Sequence, residues 1–140
     1  MVREKKARND KRTGKTTAQS KEFEQFKEKL KNQFVQTAHI MWGRQVHELT
    51  PNEVYQTVAA VAKQFISDNW IKTNNAYAER QEKQIYYFSI EFLMGRLLKS
   101  NLMNLGIEEA VQEVLEDFHL SLSDTFKEEP DAGLGNGGLG

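Results

Sequence analysis

One stretch of six residues, Ile85-Tyr86-Tyr87-Phe88-Ser89-Ile90, limits what this chain can fold into more than any other. It is aromatic and β-branched, with little polarity on either face. That pattern predicts a strand covered on both sides, as in a parallel α/β sheet. It is the one convincing strand in the 140 residues. A strand needs neighbours for its backbone donors and acceptors. The reading therefore expects a sheet that is completed by sequence beyond these residues. The fold class expected is α/β: a mostly helical segment with one recognisable buried strand.

The helical patterns lie on either side of that run. Phe23, Phe26, Leu30, Phe34 and Ala38 recur at helical spacing with Lys and Glu opposite them, predicting a helix from near Lys21 to about Glu48. Thr50-Pro51-Asn52-Glu53 has the form of a capping box: Thr50 accepts from the Glu53 amide and the Glu53 carboxylate reaches back. Pro51 sits at the first helical position, where it loses no needed donor. Val54, Val58, Val61 or Ala62, and Phe65 then form one stripe, predicting a helix that continues through Trp70 toward Glu79. Phe92 to Lys99 reads as a short helix and Gly106 as a break. Ile107 to Phe118 reads as a further helix with Ala110, Val111, Val114, Leu115 and Phe118 inward. Residues 119–132 read as a polar, acidic loop. Trp42 and the Phe stripe are assigned to the core.

Composition bounds the function classes. There is no cysteine, which excludes disulfides, thiolate metal sites and a cysteine nucleophile. This is compatible with the cytoplasm. No apolar run approaches the roughly 18 residues of a membrane span, and the charged N-terminus does not have the form of a secretory signal. Residues 1–15 hold seven basic side chains against two acidic ones, a net of +5. From Glu108 onward nine acids face Lys127 alone, a net of −8. A basic arm raises nucleic acid as a partner, but without interleaved aromatics or a basic groove the solvated-arm reading is preferred. Residues 1–20 are accordingly expected to form a flexible basic tail, and 21–140 an incomplete part of a larger domain.

Three motifs invite a chemical reading. Gly14-Lys15-Thr16 resembles the end of a phosphate-binding loop, yet Asn9 stands where its first glycine belongs and no strand precedes it, so it is a chance match. Gly133, Gly135 and Gly138 satisfy G-x-G-x-x-G, but Lys127-Glu128-Glu129-Pro130-Asp131 is not the strand that a dinucleotide site requires. On spacing alone, an anion-binding loop of backbone amides and a linker remain equally open. Glu91 places a charge inside Ile90-Glu91-Phe92-Leu93-Met94. A structural ion pair with Arg96 is preferred there over a site role. His39, His47 and His119 lack ligand-like spacing, and no metal is expected.

Two of these stretches resemble a known family. Ile85 to Arg96 (IYYFSIEFLMGR) resembles the signature strand and turn of α-glucan phosphorylases, and Asp131 to Gly140 (DAGLGNGGLG) resembles their active-site glycine loop. The Thr50-Pro51 helix start and Trp70-Ile71-Lys72-Thr73 are similar to the same family. Two long motifs in the right order are far more specific than a lone glycine pattern. The resemblance covers roughly residues 20–140 and implies an N-terminal segment of a GT-B-type enzyme built from two Rossmann-like domains.

That family phosphorolyses terminal α-1,4-glucosyl units of glycogen or maltodextrin, giving glucose 1-phosphate with retention. The resemblance implies pyridoxal 5′-phosphate as cofactor, on a lysine outside this chain, and α-1,4-glucan and inorganic phosphate as substrates. It also implies a cytoplasmic homodimer that engages neither nucleic acid nor membrane. By the same resemblance the backbone of Gly137 and Gly138 faces the phosphates, Leu139 and Asn136 contact substrate, and Glu91 supports the site. The segment alone is expected to be inactive. Two departures point to an unregulated, bacterial-like member. The basic arm offers no match to the family's phosphorylated serine, and Ala78 stands where animal enzymes stack an aromatic ring on adenosine monophosphate, with Asn74 and Asn75 replacing glutamines. The rival reading is a stand-alone helical interaction module with a basic arm and a glycine tail.

Overall fold

The computed structural model describes residues 17–89 and 95–132. Five α-helices follow in order: α1 Thr17–Trp42, α2 Pro51–Arg80, α3 Leu98–Leu105, α4 Glu108–Asp117 and α5 Leu122–Lys127, with a 3-10 turn at Val46–Glu48. Helix α1 begins four residues before the expected start near Lys21 and ends six residues before the expected boundary at Glu48. Its end is set by Gly43, whose amide donates to the His39 carbonyl at 2.9 Å.

Helix α2 starts as its capping box requires. The Glu53 amide donates to Thr50 Oγ1 at 3.3 Å and the Thr50 amide donates to Glu53 Oε2 at 2.8 Å. The Thr50 amide, before all else, holds the Glu53 carboxyl below its usual range, and Arg44 beside it acts in the same direction. One turn on, Thr57 is fully buried yet satisfied. Its hydroxyl donates to the Glu53 carbonyl at 2.7 Å and accepts from Trp42 Nε1 at 3.0 Å. These bonds fix the end of α1 against the start of α2.

The core lies where α1, α2 and α4 meet. Leu30, Phe34 and Ala38 of α1, Val54, Val58, Val61 and Ala62 of α2, and Ala110, Val111, Val114 and Leu115 of α4 are all buried, and Leu98 and Leu102 of α3 join them. Each expected stripe thus faces the interior. Phe26 packs on Phe65 with ring centroids 6.0 Å apart, and Phe34 on Phe118 at 6.1 Å. The centre retains an apolar cavity of about 10 Å³ lined by Leu30, Phe34, Val58, Val61, Val111, Val114 and Leu115. No described helix is long and apolar enough to cross a membrane.

Three expectations need correction. The strand at Ile85–Ile90 is absent over its described part, 85–89; Ile90 lies outside the described residues. Instead of being covered on both faces, Ile85 is 97% exposed and Phe88 88%. The physical reason is the one that made a lone strand anomalous: the described elements are helices, whose backbone groups are spent internally, and they offer no edge for a strand to pair with. Of the short helix expected over 92–99, residues 92–94 lie outside the described residues, 95–97 are not helical, and the helix runs over Leu98–Leu105, where Leu98 and Leu102, four apart, reach the core. It ends where expected, at Gly106, whose φ of 70° is a left-handed cap that glycine adopts without penalty. Finally, the supposed loop 119–132 contains α5. Ser121 caps it by accepting from the Asp124 amide at 3.3 Å, and Leu122 and Thr125 are buried.

Ion pairs bind α1 to α4. Lys27 Nζ lies 3.1 Å from Glu113 Oε2 and 3.5 Å from Asp117 Oδ1, while Lys31 donates to Asp117 Oδ2 at 2.8 Å and lies over the Phe118 ring. The Lys31 hydrogen bond, with Lys27 beside it, holds the Asp117 carboxyl below its usual range, and the Glu113 bond raises Lys27. A depressed carboxyl contributes stability above the unfolded pKa of about 3.9 and loses it as pH falls through the folded value. A raised lysine contributes below its ordinary value and loses that as pH rises through the folded one. Wild type is therefore expected to melt above Asp117→Asn at pH 6, with the gap closing as pH falls below the ordinary carboxyl range. Parallel thermal melts from pH 2 to 7 measure this, and a gap that is flat with pH would contradict the pairing.

Candidate functional site

The described residues that lead out of the first motif and into the second meet at one buried carboxylate. Helix α3 opens at Leu98, preceded by Leu97, an apolar residue with nothing to offer at the N-cap. The first amides of a helix have no intrahelical acceptor, and a buried amide left unpaired costs about 1–3 kcal/mol. Glu129 supplies the acceptor from beyond α5. The Leu97 amide donates to Oε1 at 2.7 Å, and the Leu98 amide donates to Oε1 at 3.1 Å and Oε2 at 3.0 Å. The carboxylate also meets the positive end of the α3 dipole. Glu129 is only 9% exposed. Tyr55 of α2 stands near enough to feel it: burial first, then the Glu129 charge, pushes the phenol up.

Glu129 escaped the sequence reading because it lies in an acidic stretch read as loop. Its partners are 31 and 32 residues away. The only local signal is negative: Leu97 stands where a cap is needed, visible once the helix is known to start at Leu98.

Glu91, Asn136, Gly137, Gly138 and Leu139 lie outside the described residues, as does Gly14-Lys15-Thr16. Arg96, the expected partner of Glu91, has an exposed side chain. Asn74, Asn75 and Ala78 lie on the second half of α2, which bears no buried residue after Ala62 and carries Trp70 at 67% exposure and Ile71 at 56%. Ile85, Tyr86, Tyr87 and Phe88 are exposed as well, at 73–97%.

No family model matches the chain. Comparison with curated proteins is decisive. Glycogen phosphorylase of Bacillus subtilis is 39% identical over 114 residues, 81% of this chain. Over that span the chain belongs to the glycogen phosphorylase family. Glycogen phosphorylase of Chlamydia pneumoniae is 43% identical over 91 residues, 65% of this chain, and the human brain form of glycogen phosphorylase 36% over 111 residues, 79% of it. Bacterial and human relatives thus match to a similar degree. The chain spans 14%, 11% and 13% of the lengths of these three phosphorylases. It is therefore the counterpart of one phosphorylase segment.

Proposed function

We propose that this segment serves in an α-glucan phosphorylase that transfers terminal α-1,4-glucosyl units to inorganic phosphate and releases glucose 1-phosphate with retained configuration. The identity to named glycogen phosphorylases over four-fifths of the chain is the observation that carries the reading. The exposed run Ile85–Phe88 supports it, because those side chains suit burial in a sheet supplied by further sequence. A stand-alone interaction module gives no account of two phosphorylase motifs in one chain.

The lysine proposed to carry the cofactor lies outside this chain, so this segment is proposed to meet another part of the cofactor. The glycine run fits the phosphate end of pyridoxal phosphate. Backbone amides without Cβ obstruction approach an anion closely, and five glycines fall among residues 133–138 and 140. Gly137 and Gly138 are the residues proposed to face the phosphates, Leu139 and Asn136 the substrate, and Glu91 to support them. When bound, the cofactor supplies a phosphate that exchanges a proton with the substrate phosphate. The chain's own part is to present donors to that charge and to hold the loop in place.

The test is to express the reading frame extending beyond Gly140 in the presence of pyridoxal phosphate, and residues 1–140 alone beside it. Glucose 1-phosphate release from maltodextrin and phosphate is expected from the longer protein and not from the shorter. Turnover by residues 1–140, or none by the longer protein with the cofactor bound, overturns the proposal.

A further inference from the structure

Resting on the phosphorylase reading, we propose that Glu129 is a positioning residue for phosphorolysis. Its carboxylate ties residues 95–98, which lead out of the IYYFSIEFLMGR motif, to residues 129–132, which lead into the glycine run. The geometry makes this more than a local cap. One carboxylate takes two successive amides with three hydrogen bonds of 2.7–3.1 Å, across 31 and 32 residues of sequence. It does so while 9% exposed, beside the buried face of α2 that carries Tyr55. Charge-assisted bonds of this kind are short and directional. They fix a chain position, not merely a charge.

The alternatives nearby cannot do this. Ser121 and Asp124 are engaged at the start of α5, and Lys127 pairs with Asp124 at 2.6 Å. Glu128 next to Glu129 is half-buried, with its amide donating to the Thr125 carbonyl to close α5. Only two residues separate Glu129 from Ala132, the last described residue before the glycines, and Pro130 restricts the backbone between them. Glu129 is thus joined to the glycine run by few residues, one of which has its φ fixed by the proline ring. Small misplacements of catalytic donors are costly: a shift of about 1 Å caused far from the chemistry costs roughly 100-fold in rate.

The experiment uses the longer phosphorylase with its cofactor, as wild type, Glu129→Ala and Glu129→Gln. Activity is measured well below each variant's melting temperature, so that only folded enzyme is compared. Glu129→Ala is expected to lower kcat by roughly 10–100-fold with the KM for glucan unchanged. Glu129→Gln keeps an acceptor oxygen but not the charge, and is expected to recover part of the loss. Hydrogen exchange at the Leu97 and Leu98 amides is expected to quicken in the alanine variant and less in the glutamine variant. A folded, cofactor-loaded Glu129→Ala with wild-type kcat overturns the positioning role alone. Unchanged exchange at both amides overturns the clasp itself. A cofactor-loaded but inactive wild type overturns the phosphorylase reading, and this role with it.

Discussion

Replacing Leu115 by alanine is expected to destabilise the fold by about 3–5 kcal/mol, the upper part of the range for a buried leucine. Leu115 is wholly buried on α4 and faces Leu30, Phe34, Val58 and Val61 from the two long helices. A cavity of about 10 Å³ already lies among these side chains. Truncation enlarges an existing gap between three helices held apart by their own packing, so the site collapses only in part. Ile85→Ala is the contrasting change. Ile85 is 97% exposed, and its loss is expected to alter the stability of residues 1–140 by no more than about 0.5 kcal/mol. Urea unfolding of both variants of the 140-residue chain reads the difference directly. A Leu115→Ala variant within 1 kcal/mol of wild type would mean that α4 does not dock on α1 and α2 as described.

In the longer phosphorylase, Gly138→Ala is expected to lower kcat by about 10²–10³, the cost of one lost oxyanion-type donor. A backbone amide reaches a phosphate only where no side chain intervenes, and glycine has access to backbone conformations that alanine resists. Ala132→Gly, outside the glycine run and at an exposed position, adds only chain freedom and is expected to cost about 0.5–1 kcal/mol of stability with little change in kcat. Both variants need kcat, the KM for phosphate and a melting temperature. Near-normal turnover by Gly138→Ala would remove the phosphate-cradle assignment, because a linker tolerates the methyl group.

The helices were legible in the chain for a definite reason. Helical periodicity is a local signal, so Leu30-Phe34-Ala38, Val54-Val58-Val61 and Ala110-Val111-Val114-Leu115 named their buried faces before any fold was known. The start of α2 was equally plain, since Thr50 and Glu53 lie within one turn of each other and need no third party. The glycine cap at Gly106 was local in the same sense.

What tertiary structure decided is what depends on distant residues. Helix α5 was hidden because six residues are too few for periodicity to declare itself, and its stability comes from Leu122 and Thr125 meeting the rest of the molecule. The start of α3 moved to Leu98 because only there does the helix find both a core contact and the Glu129 carboxylate. The run from Ile85 to Phe88 shows the opposite dependence. Its composition is that of a buried strand, but composition cannot supply a neighbour, and the described helices leave it exposed. The sequence by itself determined which faces of α1, α2 and α4 turn inward. Only the tertiary structure decided that a glutamate from an acidic stretch closes the helix that follows the first motif, because a hydrogen bond across 31 residues has no signature in the residues between.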